Sequence, residues 1–269
     1  MKRTLRATLT IAAIAGVAGW VSHTENQLGH ARFGSGYVVF VSVTFLAAYH
    51  LRKKFPYLPL GNSASWLQAH IYVGWFAIAV FGMHVKWQLP NGWLESVLFW
   101  LFVATSGSGL YGLYLSKVVP RRLSRLREEA IYERIPGLRL EVQRAAHEVV
   151  QDLLKAGDAP ALADFYTTAL IPYFVQDRGP WYYLQPNSRL RNRLRMQLNQ
   201  LVRYLEPSQQ EAKQRLARLI DRRDDLDFHH AQQSQLRTWL FLHIAGSYAL
   251  LLLAVIHAIL ALAFWGGAV

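Results

Sequence analysis

The sequence contains no cysteine. That excludes disulfides, thiolate-bound iron–sulfur clusters, covalent c-type haem attachment and cysteine nucleophiles. Charge is scarce outside one segment. Lys117 to Arg237 holds 21 of the 29 Lys and Arg and 15 of the 17 Asp and Glu. That segment carries no Gly-x-Gly-x-x-Gly, no phosphate loop and no hydrolytic triad pattern, so no nicotinamide or flavin site is visible. No repeat or low-complexity tract is evident.

What is abundant is apolar. Of the 269 residues, 52% are hydrophobic and nine are Trp. This composition predicts an integral membrane protein with one polar insert. The net charge of +12 raises the question of nucleic acid. Its placement answers it: the Lys and Arg gather in three segments, as the positive-inside rule requires of cytoplasmic loops.

Five spans are predicted. They are Leu5–Val21 after the basic Lys2, Arg3 and Arg6, then Phe33–Leu51, Trp66–Val85, Leu94–Leu115 and Arg237–Trp265. Pro56, Pro59 and Gly61 mark one loop, and Pro90, Asn91 and Gly92 another. The segment between the fourth and fifth spans shows helical periodicity, as in Val142, Ala146, Val149, Val150 and Leu153. Pro160, Pro172, Pro180, Pro186 and Pro207 divide it into four or five amphipathic helices. The expected fold is therefore all-α: a bundle of five transmembrane helices with a cytoplasmic helical insert. Its expected parts are residues 1–116, 117–236 and 237–269. The basic N-terminus, the loop after the second span and the insert belong on the cytoplasmic side of the cell inner membrane. The third and fifth spans then run in the same direction.

Two spans carry paired histidines, His70 and His84 on the third and His243 and His257 on the fifth. Each pair is fourteen residues apart. Fourteen steps of 100° end within roughly 40° of whole turns, so each pair shares a helix face, its rings roughly 21 Å apart along the axis. Ionisable side chains in a membrane helix are costly and point to function. A lone membrane histidine is most often hydrogen-bonding glue between helices. Two matched pairs read instead as two layers of facing imidazoles, His70 with His243 and His84 with His257. Such pairs can supply both axial ligands of two b-type haems. Zinc or copper would need ligands gathered at one point.

Two histidines fourteen apart on one span, and two more on the next span but one, resemble the dihaem four-helix core of the cytochrome b and b6 family. The resemblance covers the second to fifth spans. It implies that His70, His84, His243 and His257 are axial ligands. It also implies electron transfer to or from a quinone, between haems on opposite sides of the membrane. The family has glycines facing haem on its two non-ligand helices. Here Gly34 and Gly36 stand on the second span and Gly107, Gly109 and Gly112 on the fourth. The family's Pro-Glu-Trp-Tyr motif is absent, and the first span and the insert are additions.

Further candidates lie near these histidines. Gly74, Gly82 and Gly246 are placed to let a flat porphyrin approach the backbone, or to pack helices closely. Arg52, Lys53, Lys54 and Arg237 on the inner side, and Arg32 and Lys86 on the outer, are placed for haem propionates, although the first group also serves as the positive-inside signal. His50 stands near the level of His70, at a quinone pocket or as a plain interfacial histidine. His229 and His230 read as solvated loop residues more than as contacts for a quinone head or a partner, and His23, His30 and His147 lack a companion at ligand spacing. Thr105, Ser106 and Ser108 can bond back to their own helix. Asp177–Pro186, DRGPWYYLQP, suits a partner contact or the membrane surface.

The function these observations predict is a dihaem b-type cytochrome subunit moving electrons between a quinone pool and a partner redox protein. With no other cofactor motif in the chain, that partner would be an iron–sulfur, flavin or multihaem c-type subunit. The alternatives are a stand-alone transmembrane reductase passing electrons from a cytoplasmic donor to an external acceptor, and a haem-free membrane scaffold.

Overall fold

The computed structural model describes residues 2–26, 31–54, 62–124, 126, 130–155, 160–201 and 207–265; at 2, 3, 31, 50–54, 207, 208 and 265 it describes the backbone alone. Every regular element among these residues is helical. Five helices are long and apolar enough to cross a membrane: Thr4–Asn26, Arg32–Tyr49, Ser63–His84, Trp93–Leu123 and Gln209–Phe264. A helix satisfies all its own backbone groups, which is what hydrocarbon demands. These helices point to a multi-pass membrane protein.

The chain divides into two compact units. The first comprises 1–113 and 239–269, the second 114–238. In the first, α1 (Lys2–Asn26) packs on α2 (Ala31–Lys54) and α3 (Ser63–His84). The Asn62 side chain caps α3 by accepting from the Ala64 N–H at 3.0 Å. At its other end Lys86 and Trp87 take left-handed φ values of 53° and 56°. Such a conformation costs a residue with a side chain about 1–3 kcal/mol. It turns the chain sharply beside His84, ahead of Pro90. Two helices extend well beyond their apolar runs: α4 covers Trp93–Leu123 and α10 covers Pro207–Trp265. The reason is legible in the second case. No proline or glycine stands between Pro207 and Gly246, so nothing stops the helix where polarity gives way to apolar sequence.

The first unit is layered in steps of seven residues. Val43, Ala77, Phe102 and Leu250, one from each of α2, α3, α4 and α10, form its buried core. Ala77 is midway between His70 and His84, and Leu250 midway between His243 and His257. Seven residues are close to two helical turns, so each histidine stands two turns above or below this apolar layer. Phe81 stacks on Phe102 with centroids 3.9 Å apart.

The second unit has its own core. On α5 (Ile135–Lys155) it takes Ile135, Val142, Ala146 and Val150 at helical spacing. They pack with Leu162, Leu170 and Phe174 from the short helical turns of 160–175, Leu194 and Leu198 from α9 (Arg189–Gln200), and Leu216 and Ile220 from α10. A π-helical turn, Tyr166–Leu170, joins α6 (Pro160–Phe165) to α7 (Ile171–Val175). Beside this core lies a charged one. The side chain of Asp227 is fully buried and meets Arg139 at 2.6 Å, Arg178 at 2.7 Å and Arg223 at 3.3 Å. Asp224 accepts a hydrogen bond from Ser188 at 2.7 Å and pairs with Arg191 at 3.5 Å. Burial pushes the Asp224 carboxyl up, and the Ser188 hydrogen bond opposes that shift. Burial likewise pushes the Tyr173 and Tyr182 phenols well above their usual range.

His229 and His230 are not solvated loop residues. Both lie within α10, and His229 is buried. His230 stacks on Tyr132 at 4.8 Å and shares hydrogen-bond distance with Tyr183 (3.2 Å) and Arg139 (3.4 Å). The polar sequence around them forms the buried side of a helix, not a linker. Of the aromatic stretch 177–186, Trp181 and Leu184 on α8 (Pro180–Leu184) are exposed, and Gln235 of α10 donates to the carbonyls of Tyr183 and Leu184.

Candidate functional site

Two of the four span histidines face each other, and the other two line one cavity. His70 of α3 faces His243 of α10 with ring centroids 6.4 Å apart and planes at 73°. His84 and His257 line one cavity of about 580 Å³ between α2, α3, α4 and α10. Since 70 faces 243 and 84 shares a cavity with 257, α3 and α10 run parallel through this region. The cavity falls in the size range of small-molecule and cofactor sites. Its walls are apolar, including Val43, Phe81, Phe102 and Leu250, with Arg32 and Glu95 also lining it.

Helices without these histidines supply their hydrogen-bond partners. His84 Nδ1 lies 3.1 Å from the Arg32 carbonyl and 3.3 Å from Ser35 Oγ, both on α2. A carbonyl only accepts, so Nδ1 carries the proton and Nε2 the lone pair. Ser35 Oγ itself donates to the Arg32 carbonyl at 3.0 Å. His243 Nδ1 lies 3.3 Å from Ser108 Oγ on α4. Ser108 thus turns its hydroxyl across to another helix, where the sequence predicted a bond within its own. Trp239 stacks on His243 at 5.5 Å and donates its indole N–H to the Ser108 carbonyl at 2.8 Å. His70 Nδ1 is buried with no hydrogen-bond partner; the Leu46 carbonyl acts on it electrostatically but misses hydrogen-bond geometry. Tyr49 lies against the His70 ring at 5.1 Å.

The glycines divide by what surrounds them. A Cβ on Gly36 would come within 3.0 Å of His84 Cε1, and one on Gly109 within 3.5 Å of His243 Cε1. Gly112 makes room for the Trp239 ring and Gly34 for Trp20. A Cβ at Gly74 or Gly107 would meet nothing within 4 Å. Gly82 is covered by the Trp87 indole, and a Cβ on Gly246 would come within 3.2 Å of Thr105 Oγ1, a close helix approach. Lys86 pairs with Glu25 at 2.7 Å. Arg237 pairs with Glu133 and lies 4.0 Å over the Tyr132 ring. The side chains of His50, Arg52, Lys53 and Lys54 lie outside the described residues, as does His30 altogether.

Sequence reasoning overlooked Ser35, Tyr49 and Trp239, and read Ser108 only as bonding back to its own helix. For the serines a signal existed: Gly-Ser-Gly occurs twice, at 34–36 and 107–109, each time within an apolar span.

The four histidines could serve as two axial pairs, and one pair lines a cavity of cofactor size. One pair of rings stands at a separation that a shared iron would also allow. The other pair lines a cavity with a ligating lone pair already fixed on His84. Metal-bound histidines characteristically donate their second nitrogen's proton to a carbonyl or similar group, as His84 does here. Among the described residues no three or more His, Asp or Glu side chains gather to hold a bare metal ion. Compared with family models, curated proteins and solved structures, the chain finds no match in any of the three.

Proposed function

We propose that this chain is a dihaem b-type cytochrome subunit, resembling the cytochrome b and b6 core, that carries electrons across a membrane between a quinone pool and a partner redox protein. The reading rests on four histidines, fourteen residues apart on each of two parallel apolar helices, two facing each other and two lining one cavity. Haem iron held between two imidazoles changes its oxidation state by one electron and has no open position for oxygen or substrate.

His70 with His243, and His84 with His257, would hold the two groups. Gly36 and Gly109 let the His84 and His243 rings lie close against α2 and α4. Arg32, on the cavity wall, offers a cation to an anionic edge. The Val43–Ala77–Phe102–Leu250 layer keeps water from between the two levels. The basic N-terminus, the loop after α2 and the segment after α4 belong in the cytoplasm, with the second unit as a cytoplasmic insert in an inner-membrane protein. The chain shows no other cofactor motif, so the partner is an iron–sulfur, flavin or multihaem c-type subunit.

Quinol titration of the oxidised protein in lipid nanodiscs tests the quinone half of this reading. A short-chain quinol is expected to reduce both haems. Reduction by dithionite alone, with quinol ineffective, contradicts it.

A further inference from the structure

The two Gly-Ser-Gly segments occupy corresponding places. On α2, Ser35 Oγ stands 3.3 Å from His84 Nδ1, and the next residue, Gly36, would bring a Cβ within 3.0 Å of the same ring's Cε1. On α4, Ser108 Oγ stands 3.3 Å from His243 Nδ1, and Gly109 would bring a Cβ within 3.5 Å of that ring's Cε1. In both, the serine takes the Nδ1 atom and the glycine leaves room for the carbon beside it. The same edge of the ring is held each time. His84 belongs to one histidine level and His243 to the other, so each level contains one ring held this way. Opposite His243, the His70 Nδ1 has no hydrogen-bond partner.

We infer that Ser35-Gly36 and Ser108-Gly109 are matched seats, each fixing the orientation of one axial histidine per haem. This rests on the dihaem reading. Ser35 and Ser108 are positioning residues, acting on the iron through His84 and His243. A hydroxyl accepting from Nδ1–H makes the imidazole a stronger electron donor. It therefore favours the oxidised iron, and losing it raises the reduction potential. The effect is local to one level. At the α2 seat the Arg32 carbonyl, 3.1 Å from Nδ1, remains when the hydroxyl goes. The α4 seat has no such second acceptor in contact with His243 Nδ1 among the described residues, so it is the more sensitive.

Spectroelectrochemical titration of the full-length protein decides this. Ser108→Ala is expected to keep both haems and move the midpoint of one wave upward, leaving the other in place. Ser108→Thr, which retains the hydroxyl, restores it. Ser35→Ala is expected to move the other wave by less. Two unmoved waves in a fully loaded Ser108→Ala protein overturn the seat, as do two waves moving together. If Ser108→Ala does not accumulate, Ser35→Ala gives the same reading on its own wave. A wild-type protein without haem refutes the dihaem reading and the seat with it, and is told apart from the other outcomes by its colour.

Discussion

His70 on α3 and His243 on α10 stand with ring centroids 6.4 Å apart and planes at 73°. Two imidazole nitrogens each about 2 Å from one metal ion put the ring centroids on the order of 6 Å apart. An edge-to-face contact of two unbridged rings falls in the same range, so haem content is what separates the two. His84 and His257 line one cavity about four turns away, so in the dihaem proposal each level holds a ligand pair. Replacing either member should remove one haem alone. His70→Ala and His84→Ala are each expected to lower the haem content from about two per chain to about one, with different halves of the split alpha band surviving. Pyridine haemochrome assay with reduced-minus-oxidised spectra checks this. Loss of the same band from both variants would contradict two separate sites.

Gly36 is predicted to be intolerant of size. Its added Cβ would stand 3.0 Å from His84 Cε1, tighter than van der Waals contact allows. Gly36→Val is expected to displace the ring and abolish haem at that level while sparing the other. Gly16→Ala on α1, where a Cβ meets nothing within 4 Å, should bind haem as the wild type does. The same spectra report both.

Much of this was legible in the sequence, for reasons that can be named. Five apolar runs announce their helices because hydrocarbon leaves the backbone no other option. The histidines are visible because charge-bearing groups are rare there. The lengths of α4 and α10 were not legible. A change from apolar to polar sequence marks a change of solvent, and it does not end a helix. The reach of Ser35 and Ser108 to histidines was not legible because a serine in an apolar helix commonly bonds to its own backbone; Ser35 does so to the Arg32 carbonyl while also meeting His84, and Ser108 meets His243. Gly82 and Lys86 carried the right spacing, but Trp87 and Glu25, which lie against them, cannot be paired with them from sequence periodicity.

Asp227 should hold the second unit together. Arg139, Arg178 and Arg223 converge on its buried carboxylate. Removing one partner of a buried ion pair leaves the others uncompensated and costs about 3–5 kcal/mol. Asp227→Ala is expected to make residues 114–238 much more susceptible to limited proteolysis. Cleavage at the wild-type rate would show that the arginines find other partners.

The second unit should also weaken in acid. Burial lowers the His230 pKa below 6.5, and Arg139 adds to this; Asp227 and Asp177 oppose it. The unfolded chain therefore binds more protons than the folded one between the lowered value and 6.5. Stability is full above pH 6.5 and falls as pH drops towards the folded value. His230→Gln should flatten that part of the curve. Thermal unfolding of the full chain followed from pH 5 to pH 8 measures it, and an unaltered slope in the variant would assign the dependence elsewhere.

The most direct measurement is the haem content of the purified chain, by visible spectrum and pyridine haemochrome assay. The account predicts about two b-type haems per polypeptide, low-spin in both oxidation states, with a split alpha band on reduction. A colourless protein that takes up no added haem would contradict it.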